Sequence, residues 1–342
     1  MTIRVGIIGY GVSGQIFHAS ALAADPAFEI AGIVTSDAGR ARLATERGLR
    51  VLSTAEQLFV DAELDLAVVA TPPHTHARHV LAALERGIPV VTDKPFATSV
   101  AEAEQLIEVS RRVGVPLFVY QNRRWDAEFL TARRLIRDGV LGEVYRFEST
   151  MEKFSGESLR TDWQGALDRA SGGGVLFDLG AHLIDQALEL FGPATVEAAQ
   201  TLSVFAGRAS DDEAFVWLRH ESGVRSHLAM SRSARRPSPR MRVLGTAGGW
   251  SIEASDRQED HLKAGGSVLD DDYGVTPERE WGVLSTAAGD ALVPSERGDH
   301  PAFYRGVAAT LTGGAPNPVD PTGPLAALRL IETAHRLADQ AK

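Results

Sequence analysis

Ile3-Arg4-Val5-Gly6-Ile7-Ile8-Gly9-Tyr10-Gly11-Val12-Ser13-Gly14-Gln15-Ile16-Phe17-His18 opens the chain as a strand, a turn and the start of a helix. The apolar, β-branched run leads straight into the glycines, and a helical pattern follows at once. In such a unit each glycine has a mechanical task. Gly9 permits the tight turn, Gly11 leaves room for a pyrophosphate against the backbone, and Gly14 lets helix and strand pack closely. Unpaired N–H groups at the helix N-terminus then hold the phosphates. A glycine-rich surface turn could carry the same letters. The strand before and the helix after favour dinucleotide binding, with Tyr10, Val12 and Ser13 lining the turn.

The whole chain bounds the rest. Its 342 residues suggest two domains. A hydrophobic content of 44% and a charged content of 23% are those of a soluble globular protein. The net charge of −10 argues against binding a nucleic-acid backbone, which needs a basic face. Apolar runs are strand-sized and interrupted, so no membrane span is expected. The run after Arg4 is broken by glycine and lacks the cleavage site of a signal peptide. Without cysteine there is no disulfide, thiol nucleophile or Cys–zinc site. A cytoplasmic enzyme with no metal is the expectation.

Strand and helix patterns then alternate. Gln15 to Ala24 reads as a helix, and Glu29 to Val34 as the second strand. The end of that strand reads the adenine ribose, through an acid for NAD or a phosphate-tolerant group for NADP. Thr35-Ser36-Asp37 stands there, with Arg40 following. Two hydroxyls and an arginine suit a 2′-phosphate, so NADP is favoured over NAD, although Asp37 could serve NAD. Ser53 to Glu56 reads as a capping box. Leu64 to Ala70 is a third strand, leading to Thr71-Pro72-Pro73-His74-Thr75-His76. Val90 to Thr92 is a fourth, ending in Asp93-Lys94-Pro95; Ser99 caps the next helix, and Leu117 to Tyr120 is a further strand. This is the pattern of a doubly wound parallel sheet, whose ligands lie beyond the carboxyl ends of the strands. Thr71–His76, Asp93–Pro95 and Gln121–Asp126 would then surround one crevice. Lys94, between a buried strand and a proline at that edge, is expected beside the nicotinamide rather than as a solvated charge. His74 and His76 either pack on the nicotinamide half, with His76 the nearer, or cap the helix start.

The pieces VGIIGYGVSG, ATPPHTH, VVTDKPFA, NRRWD and GGGVLFDLGAHLIDQALELFG span most of residues 3–192. In this order they resemble the glucose–fructose oxidoreductase/inositol dehydrogenase/rhizopine catabolism (Gfo/Idh/MocA) family. GYGVSGQIFHA, DKPFA and NRRWDAEFL are similar to its scyllo-inositol dehydrogenase-like branch, which often uses NADP. The resemblance implies a cis bond before Pro95. It also implies a cofactor site drawn from Thr71, Pro72, His74, His76, Asp93, Lys94 and Asn122. Where the commoner family motif has Glu before Lys-Pro, this chain has the shorter Asp93.

The expected boundary lies at 121/122, with residues 122–342 forming an α+β substrate and oligomerisation domain. Asp126 to Asp138 reads as a helix and Gly142 to Phe154 as a long strand, with Arg160, Asp162 and Trp163 in the polar loop beyond. Val175 to about Phe191 reads as a helix on which Asp178 and His182, four apart, share a face with Asp185. A lone helical histidine is commonly structural; the preceding aspartate, the glycine-rich approach and the family motif favour catalysis. From Thr195 the chain reads as a mostly antiparallel sheet, with hairpins at Glu221-Ser222-Gly223 and Thr246-Ala247-Gly248. Arg232, Arg235, Arg236 and Arg240 read as a solvated basic turn, or as a contact to a cofactor phosphate or a neighbouring subunit. Residues 253–300 carry no clear pattern. Helices are expected at Pro301–Gly313 and Leu325–Gln340, and in the family the last usually packs back near the first domain.

The function implied is hydride transfer between a nicotinamide and a secondary alcohol of a sugar, polyol or cyclitol. His182 is the expected base, Asp178 its partner, and Lys94 the donor to the reacting oxygen. Asn122, Arg123, Arg160 and Trp163, beside Asp178 and His182, are the substrate-binding candidates. The alternative is a non-catalytic NAD(P)-sensing regulator of the same fold, which would need none of the three catalytic groups. Phe215, Trp217 and Leu218 in close succession suggest an apolar sheet face, and hence a homodimer or a dimer of dimers.

Overall fold

Residues 2–155, 167–205 and 207–340 are described by the computed structural model. Strands β1 (Ile3–Ile8), β2 (Phe28–Val34), β3 (Val51–Leu52), β4 (Leu66–Val69), β5 (Val90–Thr92) and β6 (Leu117–Val119) form a parallel sheet. Their order is β3-β2-β1-β4-β5-β6, that of a dinucleotide-binding sheet, and it reverses direction between β1 and β4. Every residue of β4, β5 and β6 is buried. This is why those strands read as unbroken apolar runs: helices cover both faces of a parallel sheet.

The helices of this sheet are α1 (Ala19–Ala24), α2 (Ala38–Glu46), α3 (Ala55–Asp61), α4 (His76–Leu84) and α5 (Val100–Val113). Helical structure begins earlier than expected, with a π-helical segment at Ser13–His18 ahead of α1. Ser99 caps α5 as expected: its hydroxyl accepts from the Glu102 N–H at 3.2 Å, and the Glu102 carboxylate accepts from the Thr98 N–H at 2.7 Å. The box at α3 lies one residue later than expected. Thr54 is the cap and accepts from the Gln57 N–H, while the Gln57 amide oxygen accepts from the Ser53 N–H. A glutamine serves this position as well as a glutamate.

A second sheet has the order β14-β13-β12-β11-β7-β10-β9-β8. Its strands are β7 (Val144–Glu152), β8 (Ala194–Leu202), β9 (Glu213–His220), β10 (Arg225–Ser231), β11 (Met241–Gly245), β12 (Gly248–Ile252), β13 (Gly282–Thr286) and β14 (Gly289–Val293). All pairings are antiparallel except β7 with β10. One face buries Phe147, Val216, Leu218, Leu228, Met230, Val243 and Trp250. The alternate positions carry Phe215 and Trp217, whose ring stacks on His227 at 4.8 Å. Helices α6 (Ala127–Arg137), α7 (Val175–Asp178) and α8 (Gly180–Phe191) complete this part. The helix expected over 175–191 is thus broken at Leu179, where the backbone departs to φ −97°. No helix among the described residues is long and apolar enough to cross a membrane.

The chain divides into two compact units, and the division is not a single cut. The first unit takes Met1–Asn122, Gln258–Tyr273 and His300–Thr322; the second takes Arg123–Arg257, Gly274–Asp299 and Gly323–Lys342. Helices α9 (Gln258–Lys263) and α10 (Ala302–Gly313) therefore belong with the parallel sheet, and the terminal helix α11 (Thr322–Gln340) almost entirely with the second unit. The reason lies in packing. Phe303 and Tyr304 of α10 enter an aromatic cluster with Tyr120, 4.9 Å from Phe303, and with Phe28, 5.6 Å from Tyr304. Helix α11 instead places His335 5.5 Å from Phe177 of α7 and pairs Asp339 with Arg169. The span 253–300, which showed no pattern in sequence, supplies α9, β13 and β14. In β14 the apolar Ala291 and Leu292 are as exposed as Gly289 and Asp290, so no clean hydrophobic alternation marks a buried face.

Candidate active site

The glycine turn follows β1 at the point where the strand order reverses. Gly9 has φ +98°, and a side chain there would meet the Ala70 carbonyl at 2.5 Å. At Gly14 a Cβ would lie 2.1 Å from the Gly9 carbonyl. Both glycines are demanded by the fold itself. Gly11 differs: a Cβ there would meet only the Arg40 Nη1, at 3.8 Å. Among the described residues nothing requires glycine at that position. The open backbone beneath a guanidinium fits a dinucleotide pyrophosphate, whose approach a side chain would obstruct. Tyr10 is buried, and its hydroxyl accepts from Arg47 at 3.3 Å; Val12 is exposed and Ser13 half-buried.

At the end of β2, Thr35 is half-buried and Ser36 is exposed. Asp37 is the N-cap of α2 and accepts from the Arg40 N–H at 2.8 Å. That carboxylate is engaged by its own helix, while Ser36 and the Arg40 guanidinium stay exposed.

The loops after β4 and β5 meet through His76. Its imidazole is buried, with Nε2 2.6 Å from the Thr71 carbonyl and Nδ1 3.0 Å from the Pro95 carbonyl. Burial pushes its pKa down, against the pull of Asp93. His76 thus braces one loop on the other, whereas His74 is exposed. The Thr75 hydroxyl donates to Thr71 Oγ1 at 2.7 Å, closing the turn around Pro72. The Lys94–Pro95 bond is cis. Asp93 Oδ1 accepts from the Lys94 backbone N–H at 2.8 Å, and its Oδ2 lies 3.7 Å from His18 Nε2. Burial opposes the Asp93 charge, but His18, the Ser13 hydroxyl and Lys94 outweigh it and hold the pKa at about 2. Lys94 itself is half-buried. Asn122 is buried at the end of this unit, its amide nitrogen 3.4 Å from His300 Nδ1.

In the second unit, α7 carries Asp178 and α8 carries His182. Asp211 accepts from the Leu176 N–H at 2.9 Å and so anchors the start of α7. The His182 N–H reaches back to the Leu179 carbonyl at 3.1 Å, one residue short of a regular α-helical bond. His182 is 4% exposed. Asp178 is paired with Arg232, whose proline-rich segment reads in sequence as a solvated turn or a contact to a phosphate or neighbouring subunit. Instead Arg232 is 8% exposed, and its backbone is fixed by bonds from its N–H to the Asp212 carbonyl and from the Ser155 N–H to its carbonyl. Arg240 is buried as well, against Glu128 at 2.9 Å. Of that segment's arginines, Arg235 lies over the Phe154 ring, 3.8 Å from its centroid. A proline-rich run of arginines gives no periodicity from which burial could be read. The clue was the strand β10 running straight into Arg232. Arg123 pairs with Asp126 at 3.1 Å, and Asp185 takes two bonds of 2.8 Å from Arg124. Arg160 and Trp163 lie outside the described residues.

Residues 3–121 match the model of the oxidoreductase family with an NAD-binding Rossmann fold, and residues 129–251 match the GFO/IDH/MocA C-terminal domain. The chain belongs to the Gfo/Idh/MocA family of oxidoreductases. Among curated members, the uncharacterized oxidoreductase YdgJ of Escherichia coli is 35% identical, over 96% of this chain and 94% of that one. The scyllo-inositol 2-dehydrogenase (NADP(+)) IolW of Bacillus subtilis is 32% identical, over 97% and 93%. The solved structure of the putative oxidoreductase yvaA from Bacillus subtilis superposes with a TM-score of 0.92 at 30% identity, covering 100% of this chain and 97% of that one. In this Gfo/Idh/MocA chain GYGVSG follows β1, DKP follows β5, and DLGAH spans the break between α7 and α8.

Proposed function

We propose that the protein is an NADP-dependent oxidoreductase, interconverting a secondary alcohol and a ketone on a sugar, polyol or cyclitol. The observation that carries this reading is the open Gly11 turn beneath Arg40, with Asp37 engaged as a helix cap. A free acid at that ribose position is the mark of NAD, whereas an arginine accommodates the 2′-phosphate of NADP. The relative named as an NADP(+)-dependent scyllo-inositol dehydrogenase supports the substrate class.

The nicotinamide, when bound, supplies or accepts the hydride. Gly9 to Gly14, Thr35, Ser36 and Arg40 would hold the nucleotide, with Thr71, Pro72, His74 and Asn122 nearer the nicotinamide. His76 and Asp93 shape that end from behind. His182 takes the hydroxyl proton during oxidation and returns it in reduction, the commonest catalytic use of an imidazole. Asp178, paired with Arg232, orients the imidazole. Lys94 donates to the reacting oxygen as alkoxide charge develops. Asn122, Arg123, Arg160 and Trp163 are assigned to substrate hydroxyls and to the wall around them.

The reading includes a cytoplasmic homodimer or dimer of dimers. Trp217 is 42% exposed on the open sheet face, and pairing two such faces about a two-fold axis would bury both. Light scattering should give a multiple of 36.7 kDa at micromolar protein; a 36.7 kDa species alone would remove the dimer. The function is tested by titrating the full chain with NADPH and NADH, followed by a screen of polyols and sugars for NADPH formation. Absence of nicotinamide binding would remove the proposal.

A further inference from the structure

His18 lies inside the first unit with no exposed surface, on the π-helical segment that follows the glycine turn. Its imidazole has a polar group at each end. Nδ1 is 2.6 Å from the Tyr304 hydroxyl, and Nε2 faces the Asp93 carboxylate at 3.7 Å. The Tyr120 ring packs against it with centroids 4.3 Å apart. Burial raises the Tyr304 pKa well above that of an ordinary phenol, so the hydroxyl keeps its proton. With the phenol donating to Nδ1, the ring proton would sit on Nε2, the nitrogen on the side of Asp93, where it attracts the carboxylate across 3.7 Å without a direct hydrogen bond. Beyond Asp93 the chain of contacts continues, since Asp93 Oδ1 accepts from the backbone N–H of Lys94. Ser13, on the same segment as His18, also bonds to Asp93. From the other side, His76 Nδ1 sits 3.0 Å from the Pro95 carbonyl. The Asp93-Lys94-Pro95 turn thus lies between two buried imidazoles, and the charged or titratable groups facing Asp93 are His18, Lys94, His76 and Tyr304.

We propose that His18 is a positioning residue for Lys94: with Tyr304 behind it, His18 holds the Asp93 carboxylate that fastens the Lys94 backbone, tying this turn to the segment that follows the glycines. The inference rests on the reading of Lys94 as a group that acts on substrate. It assigns the shorter Asp93 a task that faces inward. A buried carboxylate fixed by several donors is a rigid anchor, whereas one reaching into a wet cleft is not. It also makes the histidine of the GYGVSGQIFHA stretch part of the reaction machinery without contact to substrate.

The test compares the wild type with H18L, H18Q, D93N and Y304F as full chains. First, Lys94 is labelled by an amine-selective reagent without cofactor and followed by mass spectrometry. H18L and D93N should label Lys94 severalfold faster than the wild type, with other lysines unchanged. H18Q should restore the slower rate, because its amide offers Asp93 a donor and Tyr304 an acceptor. Second, H18L should lose about 10²-fold in kcat through a misplaced Lys94 while NADPH affinity is held within about threefold. Y304F should lose roughly fivefold, the equivalent of one hydrogen bond. Equal Lys94 labelling in wild type and H18L would overturn the proposal. If H18L does not fold, equal labelling in D93N and Y304F would do the same. Failure of the wild type to bind NADPH would overturn the functional reading and leave the labelling comparison standing, so the two failures are distinct.

Discussion

Asp93 and Asp178 each accompany a group assigned to the reaction, and their surroundings are opposite. Asp93 is held mainly through hydrogen-bond donors, the Lys94 backbone N–H and the Ser13 hydroxyl, with His18 and the Lys94 ammonium adding attraction at longer range. Asp178 is held by a guanidinium, that of Arg232. Removing a neutral donor leaves a carboxylate whose charge is unchanged and whose position is looser. Removing the arginine leaves a half-buried negative charge beside the proposed base. The first carboxylate is therefore a device of geometry and the second a device of charge. Substitutions should divide along the same line, with the first unit governing placement and affinity and the second governing proton transfer.

The largest effect short of the base itself is expected at Lys94. Lys94→Met should lower kcat by about 10²–10³-fold, the cost of losing one donor to a developing oxyanion. A loss smaller than about tenfold, measured by steady-state kinetics, would take Lys94 out of the chemistry. Next comes Arg232. Arg232→Gln should cost roughly 10–10² in kcat and displace the acidic limb of the pH–rate profile upward, because less positive charge beside Asp178 lets it stabilise the imidazolium more. Arg232→Lys should recover part of the loss. An unshifted profile in Arg232→Gln would erase the contrast between the two carboxylates.

Arg40→Ala should weaken NADPH by about 1.5–3 kcal/mol, the value of a charge-assisted contact, and leave NADH unchanged. Equal weakening of both, by fluorescence titration, would remove the 2′-phosphate assignment. The smallest expected effect is on stability. The folded protein holds Asp93 at about 2, against an ordinary value of 3.8. Its stabilisation is therefore complete above the ordinary value and lost as the pH falls from about 4 towards about 2. The loss should be about 2 kcal/mol, and D93N should lack this part of the acid transition. Matching wild-type and D93N acid unfolding curves, followed by circular dichroism, would contradict the anchoring role.

Much of this was legible because the first unit obeys local rules. Glycines at the end of a β-branched strand, unbroken apolar runs in covered strands, and Ser99 with Glu102 at a helix start each have one geometric use. The second unit was less legible where function depends on partners distant in sequence. Asp178 and His182 stood out by their spacing, but the arginine that answers Asp178 is 54 residues away in a run that reads as solvent-exposed. Likewise, nothing near His18 announces Tyr304, 286 residues further on. The two strands between 282 and 293 were missed because exposed apolar residues such as Leu292 and buried small ones such as Gly282 break the alternation that marks a strand. The break at Leu179 was missed because Val175 to Phe191 has an uninterrupted helical pattern. Ion pairs, buried imidazoles and short kinks are tertiary facts, and composition leaves no trace of them.

The central claim is that His182 moves the proton while the first unit holds the nucleotide. One sample of His182→Asn, assayed for turnover, NADPH affinity and melting temperature, tests it most directly. The account predicts turnover lower by about 10²–10⁴-fold, the usual worth of a general base, with affinity and melting temperature close to those of the wild type. A folded His182→Asn protein that binds NADPH and turns over at nearly the wild-type rate would contradict it.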